Sequence, residues 1–299
     1  MGTFRQDSFH QGTGETVIKT GLFFATLVAA FVVILIFGFI FYFALPIFYE
    51  EQISTVLSWS WKPVQGQFGI IPMAIGSICL GATSMCLAFP VGLGVCCCAS
   101  GLAPKWFSSL ILLVVRLMTS VPTVVYGFVS VFLLVPMVRG AFHHGTGFSW
   151  LAASITLSAL VLPTVVLLIH TQFEQIDPGI RLTTTALGFK RVSQIVWVLI
   201  PASYQALFAA GILGFGRAVG DTIISLMLAG NAPQIPHSLL DSIRTLTAHI
   251  ALVVSTEAGS SSYNSLFASG IILFGMSAAV NVTLRFIRLG AHISRDFNR

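Results

Sequence analysis

Arg217 and Asp221 lie four residues apart in the run 211–231, GILGFGRAVGDTIISLMLAGN, which holds no other charged residue. Side chains four residues apart are neighbours on a helix, so the spacing predicts that these two pair. The planar guanidinium of arginine binds an oxyanion through paired, charge-assisted hydrogen bonds, and a nearby carboxylate would keep the resting site close to neutral. Two interpretations stay open: an ion pair that fixes helix packing, or a polar lining for the path of a charged substrate, which would include Thr222.

A second group of candidates surrounds the stretch LMTSVPTVVYG, residues 117–127. Arg116 immediately precedes it, and its side chain either extends toward lipid headgroups or stands at the mouth of a path. Pro122 and Thr123 predict a break in the helix, which frees backbone groups that must be satisfied inside the protein. Non-helical backbone of this kind favours the lining of a cavity.

The other polar residues form no catalytic or metal-binding pattern. All five cysteines lie between residues 79 and 98, without the paired spacing and histidines of zinc sites. The chain also lacks the Gly-x-x-x-x-Gly-Lys-Ser/Thr loop that cradles ATP phosphates. We therefore expect no enzyme activity, no metal and no cofactor in this chain.

The elements that position these candidates are membrane spans. Of 299 residues, 56% are hydrophobic and only 8% are charged, whereas soluble domains carry about 25% charged residues. A spanning helix needs about 20 apolar residues. The sequence predicts an all-α integral membrane protein with six transmembrane helices, in the runs 21–48, 70–99, 107–138, 151–169, 206–230 and 266–287.

The distribution of Lys and Arg predicts that both termini are cytoplasmic. With that orientation, ten of the 15 basic residues fall in cytoplasmic segments and three in external ones. The net charge of +5 is then a matter of topology and does not indicate a nucleic-acid partner. We expect a cytoplasmic tail at 1–20, a membrane domain at 21–288 with a cytoplasmic loop at about 170–205, and a cytoplasmic tail at 289–299. Outside, the amphipathic stretch PHSLLDSIRTLTAHIALVV either lies flat on the membrane or re-enters it.

The cytoplasmic loop carries a recognisable spacing. Gly188 is followed by nine residues and then by Val-Leu-Ile-Pro, ending at Pro201. This resembles the signature of ABC-importer permeases: Glu-Ala-Ala, three residues, Gly, nine residues, Ile-x-Leu-Pro. The resemblance implies short helices that fit a groove on an ATPase subunit, a sharp turn at the glycine and a proline that ends the loop. Leu182 stands where the family has glutamate. The coupling residues implied are Thr183, Thr184, Ala186, Gly188, Lys190, Arg191 and Pro201.

Further stretches look like the phosphate-specific permease subunits of that family. They are KPVQGQFGIIPMAIGS, VPTVVYGF, GRAVGDT, LMLAGN and IPHSLLDSIRTLTAHIA. The resemblance implies a six-span permease in a bacterial inner membrane that imports inorganic phosphate. It also implies a second permease subunit (the same or a different chain), two cytoplasmic ATPase subunits that hydrolyse the ATP, and an external phosphate-binding protein. Permeases for sulfate, molybdate or phosphonate, and a secondary transporter in which Asp221 carries protons, remain alternatives.

Overall fold

The computed structural model describes residues 12–49, 56–142, 145–176, 178–255 and 260–296. These residues are almost entirely helical, which confirms the predicted all-α class. The helices are α1 (Gly12–Tyr49), α2 (Ile71–Cys97), α3 (Lys105–Thr119), α4 (Thr123–Phe132), α5 (Leu134–Phe142), α6 (Trp150–Gln175), α7 (Pro178–Ala186), α8 (Arg191–Gln194), α9 (Tyr204–Gly220), α10 (Ile223–Leu228), α11 (Leu246–Val253) and α12 (Ser261–Asp296). One short antiparallel hairpin, β1 (Trp61–Lys62) and β2 (Gln67–Phe68), precedes α2.

The described helices agree with the predicted number of spans. Five stretches are long and apolar enough to cross a membrane, and a sixth results when residues 191–202 and 204–220, which meet at a bend of 70°, are counted as one span. The third predicted span, 107–138, differs most from the expectation. It is divided between α3 and α4–α5, and only 123–142 is long enough by itself. The cause is the expected break at Pro122, which lies in extended backbone at the start of α4.

Helix α6 occupies the centre of the bundle and packs against α2 and α9. Leu157, Val161, Val165 and Ile169 are fully buried and recur every four residues along one face of the helix, the spacing that places side chains on a single stripe. Ser149 begins α6 by accepting the backbone N–H of Ala152 at 3.3 Å. The buried core therefore lies around α6.

One end of the bundle, here called the hairpin end, carries the β-hairpin and the segment 229–255. The segment does not lie flat. It returns into the bundle, where α11 packs against α2, α10 and α12 and buries Leu246, Ala248 and His249 completely. The Trp61 ring of the hairpin contacts the His249 ring edge to face, with centroids 4.4 Å apart.

The opposite end, here called the coupling end, carries the loop between α6 and α9. Gly188 turns sharply with φ +79° between α7 and α8, as the sequence predicted. Pro201 does not end the loop as expected. It lies inside a helical stretch that runs from α8 through a π-helical turn, Ile195–Leu199, to Ile200–Ala202. The 70° bend follows at Ser203, before α9 begins.

The first and last helices extend into the segments predicted as tails. Helix α1 already begins at Gly12, and α12 continues to Asp296. Residues 1–11 and 297–299 lie outside the described part of the chain, and the boundaries at 20 and 289 stay predictions, as does the cytoplasmic placement of both termini.

Candidate substrate path and coupling loop

The predicted ion pair between Arg217 and Asp221 is not formed. Helix α9 ends at Gly220, and Asp221 lies in extended backbone with φ −76° and ψ 122°. The four-residue neighbour rule holds only within a continuous helix, so the break removes the geometry on which the prediction depended. Among the described residues, the salt bridges are Lys19–Glu15 and His170–Glu174.

Asp221 instead begins the following helix. Its Oδ1 accepts the backbone N–H of Ile224 at 2.8 Å, which is the bond of an N-terminal cap to α10. Its backbone carbonyl, freed by the break, accepts the hydroxyls of Ser225 at 2.9 Å and Thr247 at 3.1 Å. The half-buried carboxylate is therefore held in a fixed orientation by the backbone of its own chain.

Arg217 reaches sideways from the last turn of α9. Its Nη1 donates to the Thr164 hydroxyl of α6 at 3.4 Å, and the guanidinium is exposed. Its positive charge lies near the Asp221 carboxylate and near Tyr126. The arginine is therefore accessible and the carboxylate is its neighbour, without a direct salt bridge.

The break between α3 and α4 lies near Arg217 by way of Tyr126. The Tyr126 hydroxyl donates to the Met118 carbonyl at 3.0 Å, and the Thr119 hydroxyl donates to the Arg116 carbonyl at 2.6 Å. Carbonyls near the break are thus satisfied within the protein, as the sequence led us to expect. Arg116 is exposed in the last turn of α3, and Pro122 and Thr123 form the start of α4.

The helices that follow the two breaks, α4 and α10, pack against each other. Helix α4 contacts α10, and a Cβ added at Gly127 would lie 2.7 Å from the Met227 sulfur. Absence of a side chain at Gly127 therefore permits the close approach of α4 and α10. The structure brings the segments containing Thr123 and Thr222 onto neighbouring helices, although these residues are about a hundred positions apart in the sequence.

The coupling loop is closed by a residue that the sequence reasoning missed. The Gln194 side chain donates to the Thr184 hydroxyl and, at 3.3 Å, to the Thr185 hydroxyl, joining α8 to α7 across Gly188. Thr183 and Thr184 donate back to carbonyls of their own helix. Ala186 ends α7. These bonds therefore hold α7 and α8 together about Gly188, an arrangement here called the elbow, and the Gln194 bonds are its clasp. Position 182 lacks the family glutamate.

The Arg191 side chain is hydrogen-bonded within the chain. Its Nη1 donates to the Gly101 carbonyl at 3.2 Å, in the turn Cys98–Leu102 that follows α2. Gly101 has φ +134°, a conformation that side chains oppose. Lys190, by contrast, is exposed at the start of α8. The bond links the coupling loop to the end of α2.

The comparisons with known proteins identify the family. Residues 91–289 match the family described as "Binding-protein-dependent transport system inner membrane component". The chain belongs to this family. Over 240 residues it is 32% identical to a probable ABC transporter permease protein, YqgH, of Bacillus subtilis, covering 79% of this chain and 78% of the relative.

Relatives named as phosphate permeases are more distant. The permease is 25% identical over 253 residues to the phosphate transport system permease protein PstC of Haemophilus influenzae, covering 78% of this chain and 80% of PstC. It is 27% identical over 282 residues to the probable PstC of Methanocaldococcus jannaschii, covering 86% and 89%. These matches confirm the resemblance stated from the sequence motifs.

Solved structures share the fold. A bacterial alginate ABC transporter, in complex with an alginate-pentasaccharide-bound periplasmic protein, superposes with a TM-score of 0.62 at 13% identity, covering 96% of the permease and 98% of that chain. The MetNI methionine ABC transporter gives 0.58 at 15% identity, covering 76% and 99%. With the family match, the permease is a multi-pass membrane component of an ABC importer. Both helix breaks and the coupling loop lie within the matched range.

Proposed function

We propose that this permease moves inorganic phosphate into the cell, driven by ATP that separate subunits hydrolyse. The observation that carries the proposal is Arg217, which presents an exposed guanidinium beside the break at Asp221. The names of several relatives support phosphate as the substrate. The hairpin end would face the outside, where a phosphate-binding protein delivers its ligand.

The geometry at Arg217 suits a substrate that must bind briefly. A guanidinium has five N–H donors, and its contact with Thr164 is long, at 3.4 Å, so an arriving oxyanion can compete with it. The fixed Asp221 carboxylate repels the same oxyanion and keeps the resting pocket close to neutral. Together they favour weak binding, which transport requires because the substrate must also leave.

The geometry of the coupling end supports the proposal that separate ATPase subunits bind there. Two short helices turn about Gly188, and the Gln194 clasp makes them one rigid elbow. A rigid elbow transmits a movement of a bound ATPase better than a loose loop does. A second permease, of the same or another sequence, would complete the transport path.

The test is uptake of radiolabelled phosphate into vesicles that contain this permease with its partner permease, ATPase and binding protein. Arg217→Gln should abolish uptake and Arg217→Lys should lower it at least about tenfold, because a lysine cannot form the planar paired contact. Asp221→Asn keeps an oxygen for the Ile224 cap but removes the charge, so turnover should fall. Arg139→Gln, at the end of α5, is the control for losing one positive charge.

Three results would contradict the proposal in different ways. Normal uptake by Arg217→Gln at normal abundance would make Arg217 a structural residue. Equal competition by sulfate, molybdate or phosphonate would assign the permease to another oxyanion. Uptake that persists without the ATPase would indicate a secondary transporter.

A further inference from the structure

The break at Asp221 is held partly by a helix from a different part of the chain. Helix α11 begins 25 residues after Asp221 and returns into the bundle from the hairpin end. Its Thr247 hydroxyl donates to the Asp221 carbonyl at 3.1 Å. Thr247 is only 4% exposed, and it is the donor to this carbonyl from outside α10, beside Ser225 of α10 itself.

The hydroxyl of Thr247 is itself oriented by a neighbour. Thr245 begins α11, and its oxygen accepts the Ala248 N–H at 3.1 Å. The Thr245 and Thr247 hydroxyls lie 3.0 Å apart. Each hydroxyl donates one hydrogen bond, so when Thr247 donates to the Asp221 carbonyl, Thr245 is the donor between the two hydroxyls.

Helix α11 is fixed on two further sides. The Leu246 N–H donates to the Ser77 hydroxyl of α2 at 2.8 Å. On α12, the Ser265 hydroxyl lies 3.1 Å from His249 Nε2, and the His249 ring also contacts Trp61 of the hairpin. The hairpin is therefore connected to α11, and so to Thr247, by direct side-chain contacts.

We propose that Thr247 is a positioning residue of the transport path: through its bond to the Asp221 carbonyl, α11 clamps the helix break that orients the Asp221 carboxylate beside Arg217. This rests on the proposed function for the role of that carboxylate. It assigns to the returning segment at the hairpin end a direct part in setting the geometry of the path.

The decisive variant is Thr247→Val, which keeps the shape of the side chain and removes the hydroxyl. Loss of one buried hydrogen bond to the break corresponds to a change of about fivefold, so the maximal rate of phosphate uptake by the reconstituted complex should fall by about that factor. The binding-protein concentration for half-maximal uptake should stay unchanged, because the hairpin surface is intact. Thr247→Ser restores the hydroxyl and should recover uptake to within about twofold.

Two other variants separate the clamp from a general loss of packing. Ser77→Ala removes the acceptor of the Leu246 N–H and should lower the maximal rate in the same way, although Ser77 does not touch the break. Thr156→Val removes a buried hydroxyl that bonds Ser130 at 2.8 Å between α6 and α4, and should leave the maximal rate per folded complex unchanged.

A second measurement needs no substrate. Hydrogen–deuterium exchange of a peptide covering 221–228 should become faster in the Thr247→Val complex and stay unchanged in Thr156→Val. Faster exchange with no phosphate uptake by the wild type would reject phosphate as substrate and leave the clamp standing. Unchanged exchange and unchanged maximal rate in Thr247→Val would overturn the clamp, and so would failure of Thr247→Ser to restore uptake.

Discussion

Gly76→Ala should loosen the hairpin end of the permease. Gly76 lies on α2 against the backbone of Arg244, and an added Cβ would stand 2.4 Å from the Arg244 carbonyl oxygen. Unstrained carbon–oxygen contacts are about 3.3–3.6 Å, so one of the two backbones must retreat by about 1 Å. The next residue along α2, Ser77, holds the Leu246 N–H, and this bond should lengthen in the same movement.

The size of the effect follows from three contributions. Overpacking in a filled interior destabilises by about 1–3 kcal/mol, and weakening the bond to Leu246 adds about 1 kcal/mol. Alanine offsets part of this, because it is better than glycine in a helix by about 0.5–1 kcal/mol. We expect a net destabilisation of about 1–3 kcal/mol.

Gly94→Ala is the matched control on the same helix. Apart from its own turns of helix, no atom lies within 4 Å of the position its Cβ would take, so only the helix preference remains and the variant should be as stable as the wild type or more so. The assay is the fraction of folded complex that survives a series of temperatures in detergent, measured by size-exclusion chromatography. Unfolding of such a complex is irreversible in practice, so the order of the variants is compared.

The order of the two variants decides the result. Gly76→Ala should lose its folded peak at the lowest temperature, followed by the wild type and then Gly94→Ala. If Gly76→Ala survives as well as Gly94→Ala, the close packing between α2 and the Arg244 backbone is not a feature of the molecule, and the anchoring of α11 through Ser77 loses its support.

Two further predictions concern the ends of the bundle. Arg191→Gln removes the bond from the coupling loop to the Gly101 carbonyl, so the phosphate taken up per ATP hydrolysed should fall severalfold. Lys190→Gln makes the same charge change and leaves that bond in place. Equal losses in both variants would refute the link. The backbone N–H groups of His237 and Ser238 donate to the Asp241 carboxylate and hold its pKa below the ordinary value. The turn 237–241 therefore has the full stabilisation above about pH 3.9. It loses that stabilisation as the pH falls through the lowered pKa. An acid-active protease should therefore cut this turn progressively faster as the pH is lowered from 5 through the lowered pKa, with Asp241→Ala already cut at pH 5. Wild-type cutting as fast as that of Asp241→Ala at pH 5 would contradict the assignment.

The sequence predicted the features that depend on local chemistry. Long apolar runs indicated the spans, and Pro122 indicated the broken third span. Each of these follows from one residue type acting on its own stretch of backbone, so neighbouring residues are sufficient to find it. The turn at Gly188, which the structure places at φ +79°, was implied by the resemblance of the loop to ABC-importer permeases.

The features that were missed depend on partners far away in the chain. The break at Asp221 has no proline, and its carbonyl is satisfied by Thr247, 26 residues later. A Gly-Asp-Thr sequence inside an apolar run was the available signal, because aspartate favours the start of a helix. Treating the run as one continuous helix led to the wrong ion pair. Gln194 closes the elbow across a turn, and no periodicity along the sequence indicates such a contact.

Helix α1 has a consequence for the bilayer around the permease. Its apolar part spans 29 residues, almost all of them exposed on the surface of the chain, with Ala44 buried. Its length is about 44 Å against a hydrocarbon thickness of about 30 Å. Hydrophobic mismatch of this size is relieved by tilting or by local thickening of the membrane. Aromatic contacts of Phe37 with Phe274 and of Phe43 with Phe267 fix α1 to α12 at two levels, so the lean of α1 is set by the protein. A thinner membrane should then thicken locally around α1, and lipid chain length becomes a variable that acts on the permease at its periphery.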